Sequence, residues 1–418
     1  MTQTLFARVT ATAVLCVVSA AACYATAAAK APPASRYVVH QLAMPADSVL
    51  SANDIARYGP RAIALATNGA VAAVVEDRGR TFLSRRIVVW RADGSRVTIG
   101  MPDDTVLHEA FRHYTGGPVP YPQSSFSHVV LAGDGTPFAT VSNGFSGAYS
   151  GTDQGVFRWA GAAWKLVRAA GQNGSMVPTD FDVVAAELPA LRIGMTGDYS
   201  GGFVQIDALE HDPAYQLPEA LLYDGTTVRS LGTGTMTALA GTYACGFIGE
   251  QNGRTMPDNV NVDGQIPYAL LFHDGVTKRL GRGVAFGVNA SGVAVGDDRI
   301  SVNGGSITTI RTATSTQVIA RNGLPNGMPV RWDPRGATAL GRKPGTAFAI
   351  AADGTIVGAF ARGGGFVAHD RALTALDALV PGSHAHIRGA YAINAHGRIL
   401  VLTGFNGTPG LAYLDPAS

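Results

Sequence analysis

The sequence predicts an all-β protein, a seven-bladed β-propeller whose N-terminal strand closes the last blade. Three observations predict this fold. A strand–turn–strand motif recurs seven times, about every fifty residues, which is the spacing of propeller blades. A second strand pair follows each copy, so each repeat supplies four short strands. The last copy lacks its fourth strand, and a matching strand stands at the start of the repeat region.

The first strand pair of each repeat consists of an apolar run, a polar turn and a second apolar run. Clear copies are AFGVNASGVAVGD (285–297), AFAIAADGTIVGA (347–359) and AYAINAHGRILVL (390–402). Runs of period two joined by Gly, Asn or Asp are typical of β-hairpins. Aligned on the turn, the seven copies make the following residues equivalent: Gly69, Gly135, Ala190, Cys245, Gly292, Gly354 and Gly397.

The second strand pair carries an aromatic residue before its turn, as in VVWRADGSRVTIG from Val88. After the seventh motif the chain reads GLAYLDPAS, a third strand with no fourth strand behind it. RYVVHQLAM, from Arg36, resembles the fourth strands of the other repeats. We therefore expect Tyr37–Leu42 to pair beside Leu411–Leu414, which closes the ring and removes exposed sheet edges.

These repeats resemble the HAF-repeat family of exported bacterial proteins. The motif and the aromatic-Asp-Gly turn after it carry the resemblance, which is strongest at Ala285–Asp297, Ala347–Gly358 and Ala390–Leu402. It extends over nearly all of residues 36–418. The resemblance implies an extracellular propeller, and it implies no agreed activity.

The first 29 residues are expected to be a signal peptide, because one positive charge at Arg8 precedes an uncharged, small-residue run. Ala20–Cys23 also fits a lipobox loosely, so a lipoprotein acylated at Cys23 is an alternative. Residues 30–35 are then a linker, and residues 36–418 form a single propeller. We expect a periplasmic or extracellular protein with no transmembrane span in the mature chain.

Composition narrows the functional classes. The net charge is +2 and no basic tract is present, which argues against nucleic-acid binding. Removal of the first 29 residues leaves Cys245 as the sole cysteine of the sequence, so the fold has no disulfide framework. We expect a monomer without a required cofactor, although the carboxylates described below could hold Ca²⁺.

The predicted binding face follows from segment length. Short turns join the strands within each pair, whereas the long segments all fall between pairs, and in a propeller those connections emerge on one face. The long segments are 101–124, 142–154, 171–180, 196–217, 250–266 and 298–327. Long loops on a rigid scaffold commonly carry binding residues, so we expect a ligand groove over blades two to five.

Histidine, tyrosine and arginine residues in this region suggest one chemistry. His108 and His113 are five residues apart, which does not match the i, i+4 pair that a zinc protease needs on a helix. Together with His128, Arg192 and Tyr199, they resemble in residue type the His/Tyr/Arg sites of propeller-type polysaccharide lyases. That resemblance implies proton exchange by His or Tyr on a uronate. Solvated or partly buried histidines are the simpler interpretation.

A second group of candidates would bind a ligand. Glu250 and Asp297 are predicted to share one repeat position at the end of the second strand, and Asp198 lies nearby in blade three. Opposed carboxylates could act on a glycosidic bond or hold Ca²⁺, or they could simply cap strand ends. Aromatic side chains for sugar stacking are offered by Tyr114, Tyr149 and Tyr215.

Two functions are therefore open. The first is an exported binding module that recognises a glycan or an extracellular protein on its long-loop face. The alternative is a polysaccharide-active enzyme that acts on a uronate-containing glycan. For such an enzyme, the residue types favour a lyase over a hydrolase.

Overall fold

The computed structural model describes most of the repeat region. The described ranges are 37–50, 59–78, 85–111, 124–145, 151–169, 179–199, 218–251, 254–256, 266–299, 309–311, 316–318, 327–369, 372–380, 386–405 and 408–417. All of them belong to one compact unit, Arg36–Ser418.

Seven antiparallel sheets follow one another along the chain, and each is one propeller blade. Blade one contains β2 (Ser48–Leu50), β3 (Ile63–Leu65), β4 (Val71–Asp77), β5 (Arg85–Trp90) and β6 (Arg96–Ile99). Blade two contains β7 (Ser124–Leu131), β8 (Pro137–Phe145), β9 (Gly151–Trp159) and β10 (Trp164–Ala169). Blade three contains β11 (Thr179–Glu187), β12 (Arg192–Tyr199), β13 (Glu219–Tyr223) and β14 (Val228–Thr233).

The remaining blades complete the ring. Blade four contains β15 (Thr235–Ala240), β16 (Tyr243–Gln251), β17 (Arg254–Met256), β18 (Ile266–His273) and β19 (Val276–Arg282), and blade five contains β20 (Val284–Val288), β21 (Ala294–Asp297), β24 (Pro329–Asp333) and β25 (Gly336–Ala339). Blade six contains β26 (Gly345–Ile350), β27 (Ile356–Phe360), β28 (Gly365–His369) and β29 (Ala372–Ala375). Blade seven contains β30 (His386–Ile393), β31 (Ile399–Phe405), β32 (Thr408–Pro416) and β1 (Tyr37–Gln41). A separate hairpin consists of β22 (Thr309–Arg311) and β23 (Thr316–Val318).

The first strand of each blade is the innermost strand of the ring. Each inner strand contacts the inner strand of the next blade, and β30 contacts β3, so the ring is closed. The seven-bladed propeller predicted from the repeats is therefore confirmed. Blade one departs from the pattern, because its inner strand is split into β2 and β3, which pair with opposite ends of β4.

Closure by the N-terminal strand beside Leu411–Leu414 is confirmed, and the structure gives its register. β1 pairs antiparallel with β32, with Val39 opposite Leu414 and Gln41 opposite Ala412. The Leu42 N–H extends this ladder by donating to the Leu411 carbonyl at 3.0 Å. Blade seven therefore takes three strands from the end of the chain and one from its beginning.

The recurring turn has a defined chemistry, which Asn394 shows best. Its side-chain oxygen accepts the backbone N–H groups of His396 and Arg398, while its amide donates to the Ala66 and Thr67 carbonyls of blade one. Gly397 follows with φ +77°, a conformation that favours glycine. One side chain therefore shapes its own turn and binds the neighbouring blade.

Two repeats differ from the sequence alignment. Cys245, expected at a turn, lies buried inside β16, because the turn of blade four is only Gly241 and Thr242. In blade three a four-residue turn that contains Ala190 replaces the glycine turn. These two copies lack a glycine at the aligned position, so the sequence pattern did not mark where their turns lie.

The core consists of apolar side chains packed between neighbouring blades. The largest fully buried side chains include Phe126, Phe138, Phe272, Phe366 and Trp332. A short helix, α1 (Asp104–Phe111), covers the join between blades one and two by burying Leu107, Ala110 and Phe111. The Asp103 carboxylate caps it by accepting the Val106 N–H at 3.0 Å.

Candidate functional site

The long-loop face carries a raised rim on blades two to four. Residues 142–154, expected to be a loop, are largely strand, because β8 and β9 pair out to Phe145 and Gly151. β12 continues to Tyr199, opposite Thr179. In contrast, β21 of blade five ends at Asp297. β31 of blade seven extends to Phe405, as far beyond this level as β12 does. Backbone ladders therefore extend into this part of the long-loop face.

Blade four contributes an extra inner segment to the rim. β16 pairs with β18 along one edge from Tyr243 to Glu250. β17 pairs with Gly249–Gln251 of β16 and so lies on the other edge, the edge that β15 occupies further down. The β16–β17 hairpin thus extends the inner side of the blade toward the mouth of the central channel.

The predicted site residues fall into three groups. His113, Tyr114, Tyr149 and Tyr215 lie outside the described residues. Asp198, Tyr199 and Glu250 are placed by their backbone at the outer ends of β12 and β16. The other candidates, which have described side chains, are His108, His128, Arg192 and Asp297.

The two described histidines occupy different environments. His108 is exposed on α1. His128 lies within β7, directly after a β-bulge at Ser127, and only 4% of its surface is exposed. Its Nδ1 lies 3.2 Å from the Ser127 hydroxyl, which also accepts a hydrogen bond from Ser142. His128 is therefore packed inside blade two rather than presented at the surface.

Arg192 belongs to the opposite face. It forms an ion pair with Glu187 at 2.6 Å and donates to the Gly241 carbonyl at 2.8 Å, and Gly241 lies in the turn of blade four. Arg192 and Tyr199 stand at opposite ends of β12, so their Cα atoms are roughly 20 Å apart at about 3.3 Å per residue. The structure does not bring these two lyase candidates together.

Asp297 is fully buried and its carboxylate is already engaged. Oδ1 accepts Arg299 Nε at 2.7 Å, and Oδ2 accepts Arg299 Nη2 at 2.7 Å and the Thr346 hydroxyl of blade six. The Arg299 guanidinium also lies 5.1 Å from the centre of the Phe286 ring. The Thr346 bond ties blade five to blade six, and together with the bidentate Arg299 pair it leaves no carboxylate oxygen open to a ligand.

The predicted equivalence of Asp297 and Glu250 is wrong. Asp297 pairs with Val284, and Val284 directly precedes Ala285, the last paired residue before the bulge in β20. The residue in that position in blade four is Phe247, opposite Thr235. Glu250 stands three residues further out, where β16 pairs with β17.

Large aromatic residues line the inner wall at blades five to seven, and smaller residues line it at blades two to four. The extra residues at the bulges of blades five to seven are Phe286, Phe348 and Tyr391, whose rings contact one another in turn at 5.5 and 4.9 Å. Burial raises the pKa of Tyr391 to about 12. The inner bulges of blades two to four carry smaller residues: Ser127, Val184 and Thr237. The wall beneath the raised rim is thus the less crowded one.

Two cavities open on the other side of the ring, around the turns of blade one. The larger, about 710 Å³, lies between β1, β32 and blade one; the smaller, about 420 Å³, lies between blades one and two. Arg91 lines both. Sequence reasoning missed them, because they form between segments far apart in the chain; the one local signal was the Arg-Ala-Asp-Gly-Ser-Arg turn after Trp90.

Two further findings concern the described part of the chain. Its His, Cys, Asp and Glu side chains form no group of three or more that could hold a metal ion. In the same ranges, no helix has the length and apolarity needed to span a membrane.

Comparisons with known proteins bear on the fold. No protein-family model matches the sequence, and no curated protein sequence matches it significantly. The β-propeller domain of the Trilobed protease from Pyrococcus furiosus, which is described as having an open velcro topology, matches with a TM-score of 0.51 at 9% identity, over 90% of this chain and 95% of that one. An acylaminoacyl peptidase from Pyrococcus horikoshii matches with a TM-score of 0.46 at 11% identity, over 84% of this chain and 50% of that one. The chain is a β-propeller in which the N-terminal strand completes the seventh blade.

Proposed function

We propose that this protein is an exported binding module of the HAF-repeat kind, which recognises a glycan or an extracellular protein with its long-loop face. The observation that carries the proposal is the raised rim on blades two to four, where β8, β12 and β16 continue beyond the level at which β21 ends. This rim stands above blades five and six, and together with the less crowded inner wall beneath it makes a concave surface, which is the usual shape of a binding site.

Binding is favoured over catalysis by the placement of the candidate catalytic groups. Arg192 forms its contacts at the opposite face, His128 is packed inside blade two, and the Asp297 carboxylate is saturated by donors. A lyase would need a base and a cation that converge on one uronate. The described side chains do not supply that convergence.

The test is a glycan microarray, together with capture of extracellular proteins on immobilised protein followed by mass spectrometry. Tyr199→Ala and Glu250→Gln, at the tips of the rim, should weaken whichever interaction is found at least tenfold. Arg335→Gln, in an exposed turn on the opposite face, is the matched control and should bind as wild type does. An interaction that survives both rim substitutions would place the binding site elsewhere.

The enzymatic alternative has its own test. Uronate-containing polysaccharides are incubated with wild-type protein and with His128→Ala, and the ultraviolet absorbance of an unsaturated product is followed. We expect no product from either protein. Product formed by the wild type and lost in His128→Ala would replace the binding proposal with a lyase.

Export is the remaining part of the proposal. It is supported by the sequence of residues 1–29, which has the pattern of a secretory signal. Intact-mass measurement of protein from the producing cells should give an N-terminus between Cys23 and Pro33. A mature chain that retains Met1 would contradict export.

A further inference from the structure

The larger cavity beside blade one is lined, among the described residues, by basic side chains and by no acidic side chain. Its wall contains His40, Gln41, Trp90, Arg91, Arg96 and Tyr413. The ionisable side chains that line it are thus two arginines, one histidine and one tyrosine, and no carboxylate lines it. A volume of about 710 Å³ lies in the range of small-molecule sites.

The neighbouring acids do not neutralise this wall. Asp415 lies 3.6 Å from His40 Nε2, but it accepts both Nε and Nη2 of Arg398 at 2.7 and 2.8 Å. Asp93 lies in the same turn as Arg91 and lines the smaller cavity, where Asp134 joins it. The smaller cavity is therefore mixed in charge, and the larger one is basic.

The two arginines are held beside the cavity in different ways. Arg96 donates to the Ala43 carbonyl at 2.8 Å, and the Trp90 indole donates to the same oxygen at 3.1 Å. The first of these hydrogen bonds holds the Arg96 side chain in position. Arg91 is exposed at the end of β5, where its backbone closes the turn with Ser95. Within the described ranges no hydrogen bond joins Arg91 or Arg96 to a carboxylate, although the charges of Arg91 and Asp93 attract each other.

An aromatic surface completes the wall. The His40 ring stacks on the Tyr413 ring with centroids 4.8 Å apart, and Arg398 lies 4.0 Å from the centre of the Tyr413 ring. Trp90 is largely buried behind the wall. The Tyr413 ring is thus already covered by His40 and Arg398, so the guanidinium groups are the recognition elements of the cavity, and they suit a carboxylate or a phosphate.

We propose that the cavity formed by β1, β32 and blade one binds a small ligand that carries an anionic group, such as the carboxylate of an acidic sugar. This site is distinct from the long-loop face. Its wall combines the strand that begins the repeat region with the strand that ends it, so a bound ligand bridges the ring closure. Binding is therefore coupled to the stability of the closed ring.

The experiment is isothermal titration calorimetry of the full-length protein with D-glucuronate and with inorganic phosphate, at low and moderate salt. We expect saturable binding of at least one anion, weaker at higher salt, and no binding of uncharged glucose. Arg91→Gln and Arg96→Gln should each weaken binding about tenfold, and the double variant should abolish it. Arg335→Gln, in the corresponding turn of blade five, should bind as wild type does.

Thermal unfolding gives a second readout on the same proteins. The anion should raise the melting temperature of the wild type in proportion to occupancy and leave that of the double variant unchanged. Circular dichroism confirms that each variant is folded before titration. The absence of heat with both anions, or affinity unchanged in the folded double variant, would overturn the proposal. Neither result depends on what the long-loop face binds.

Discussion

At the scale of single residues, the contacts of a side chain decide whether it serves the fold or a ligand. Asp297 is the clearest case. Its residue type and its place at a strand end on the long-loop face suggested a ligand group, yet both of its oxygens accept hydrogen bonds from Arg299 and Thr346. A buried carboxylate in this position joins two blades.

Asp297→Asn should therefore act on stability. Removing one partner of a buried ion pair leaves the other charge uncompensated, and we expect a loss of about 3 kcal/mol in the free energy of unfolding. Asp353→Asn, an exposed turn carboxylate, is the control and should cost less than about 1 kcal/mol. Chemical denaturation followed by circular dichroism measures both. A fully stable Asp297→Asn protein would show that this buried ion pair does not stabilise the fold.

Tyr391 predicts how stability depends on alkaline pH. Burial raises its pKa to about 12 in the folded protein, so the folded state keeps the proton where the unfolded chain has lost it. The stabilisation is complete below pH 10 and is lost as pH rises from about 10 to 12, by roughly 3 kcal/mol. The Cys245 thiol, whose pKa burial also raises to about 12, adds a slope of the same sign.

Tyr391→Phe keeps the ring beside Phe348 and removes the hydroxyl. The variant should lose less stability than the wild type between pH 10 and 12, and the Cys245 contribution should remain in both. Denaturation midpoints at several pH values give the difference. Equal losses in the two proteins would mean that the tyrosine is not the group responsible.

At the scale of elements, the turns within the first strand pairs hold neighbouring blades together. Asn394, Asn289 and Asn68 each donate to a carbonyl in the turn of the next blade. In blade three, Arg192 donates to the Gly241 carbonyl, and the Glu187 carboxylate accepts the Gly241 N–H. Different residues therefore solve one problem, the joining of adjacent blades on the short-turn face.

Asn394→Ala should weaken the joint between blades seven and one. The substitution removes the acceptor for two backbone N–H groups and the donor for two carbonyls, so we expect a loss of about 2 kcal/mol in stability. His396→Ala, in the same turn, is a matched control with little expected effect. Guanidinium-induced unfolding of both variants checks the prediction. A loss confined to His396→Ala would show that the turn does not work as described.

At the scale of the whole molecule, the ring closes through residues from both ends of the repeat region. Arg398 pairs with Asp415, lies against Tyr413, and donates to the Gly69 carbonyl of blade one at 3.0 Å. Gly69 has φ +91°, and a Cβ there would lie 2.6 Å from Arg398 Nη1. A side chain here would be strained at this φ and would push the Arg398 guanidinium away from its present position, so the turn glycine serves closure as well as local conformation.

The fold was predictable because its information is periodic. Seven strand–turn–strand copies and a missing last strand were enough to predict seven blades and the pairing of Tyr37–Leu42 with Leu411–Leu414. The level of Glu250 relative to Asp297 was not predictable, because the turn of blade four is at Gly241 and Thr242 and not at Cys245, where the sequence alignment placed it. Arg192 was placed on the wrong face because the turn of blade three lacks the glycine that marks the others.

The site depends on contacts between distant segments, which the sequence does not display. Helix α1 could have been found from the Asp103 cap followed by Leu107, Ala110 and Phe111 at helical spacing. The cavity beside Arg91 could not, since β1, blade one and β32 meet only in the closed ring. Closure is thus the condition on which both the fold and the anion site depend.

Closure is tested most directly by a disulfide across β1 and β32. Val39→Cys with Leu414→Cys joins residues directly opposite each other, in a background of Cys16→Ser and Cys23→Ser. The Leu42–Leu411 hydrogen bond makes Val39 and Leu414 a non-hydrogen-bonded pair by alternation, the closer kind, with Cα atoms about 4.5 Å apart. Mild oxidation of the folded protein should cross-link nearly all molecules within one chain, as seen by mobility on non-reducing gels. Val39→Cys with Ala412→Cys, shifted by two residues, should cross-link poorly. A folded protein that forms neither cross-link, or forms both equally, would contradict a ring closed by its N-terminal strand in this register.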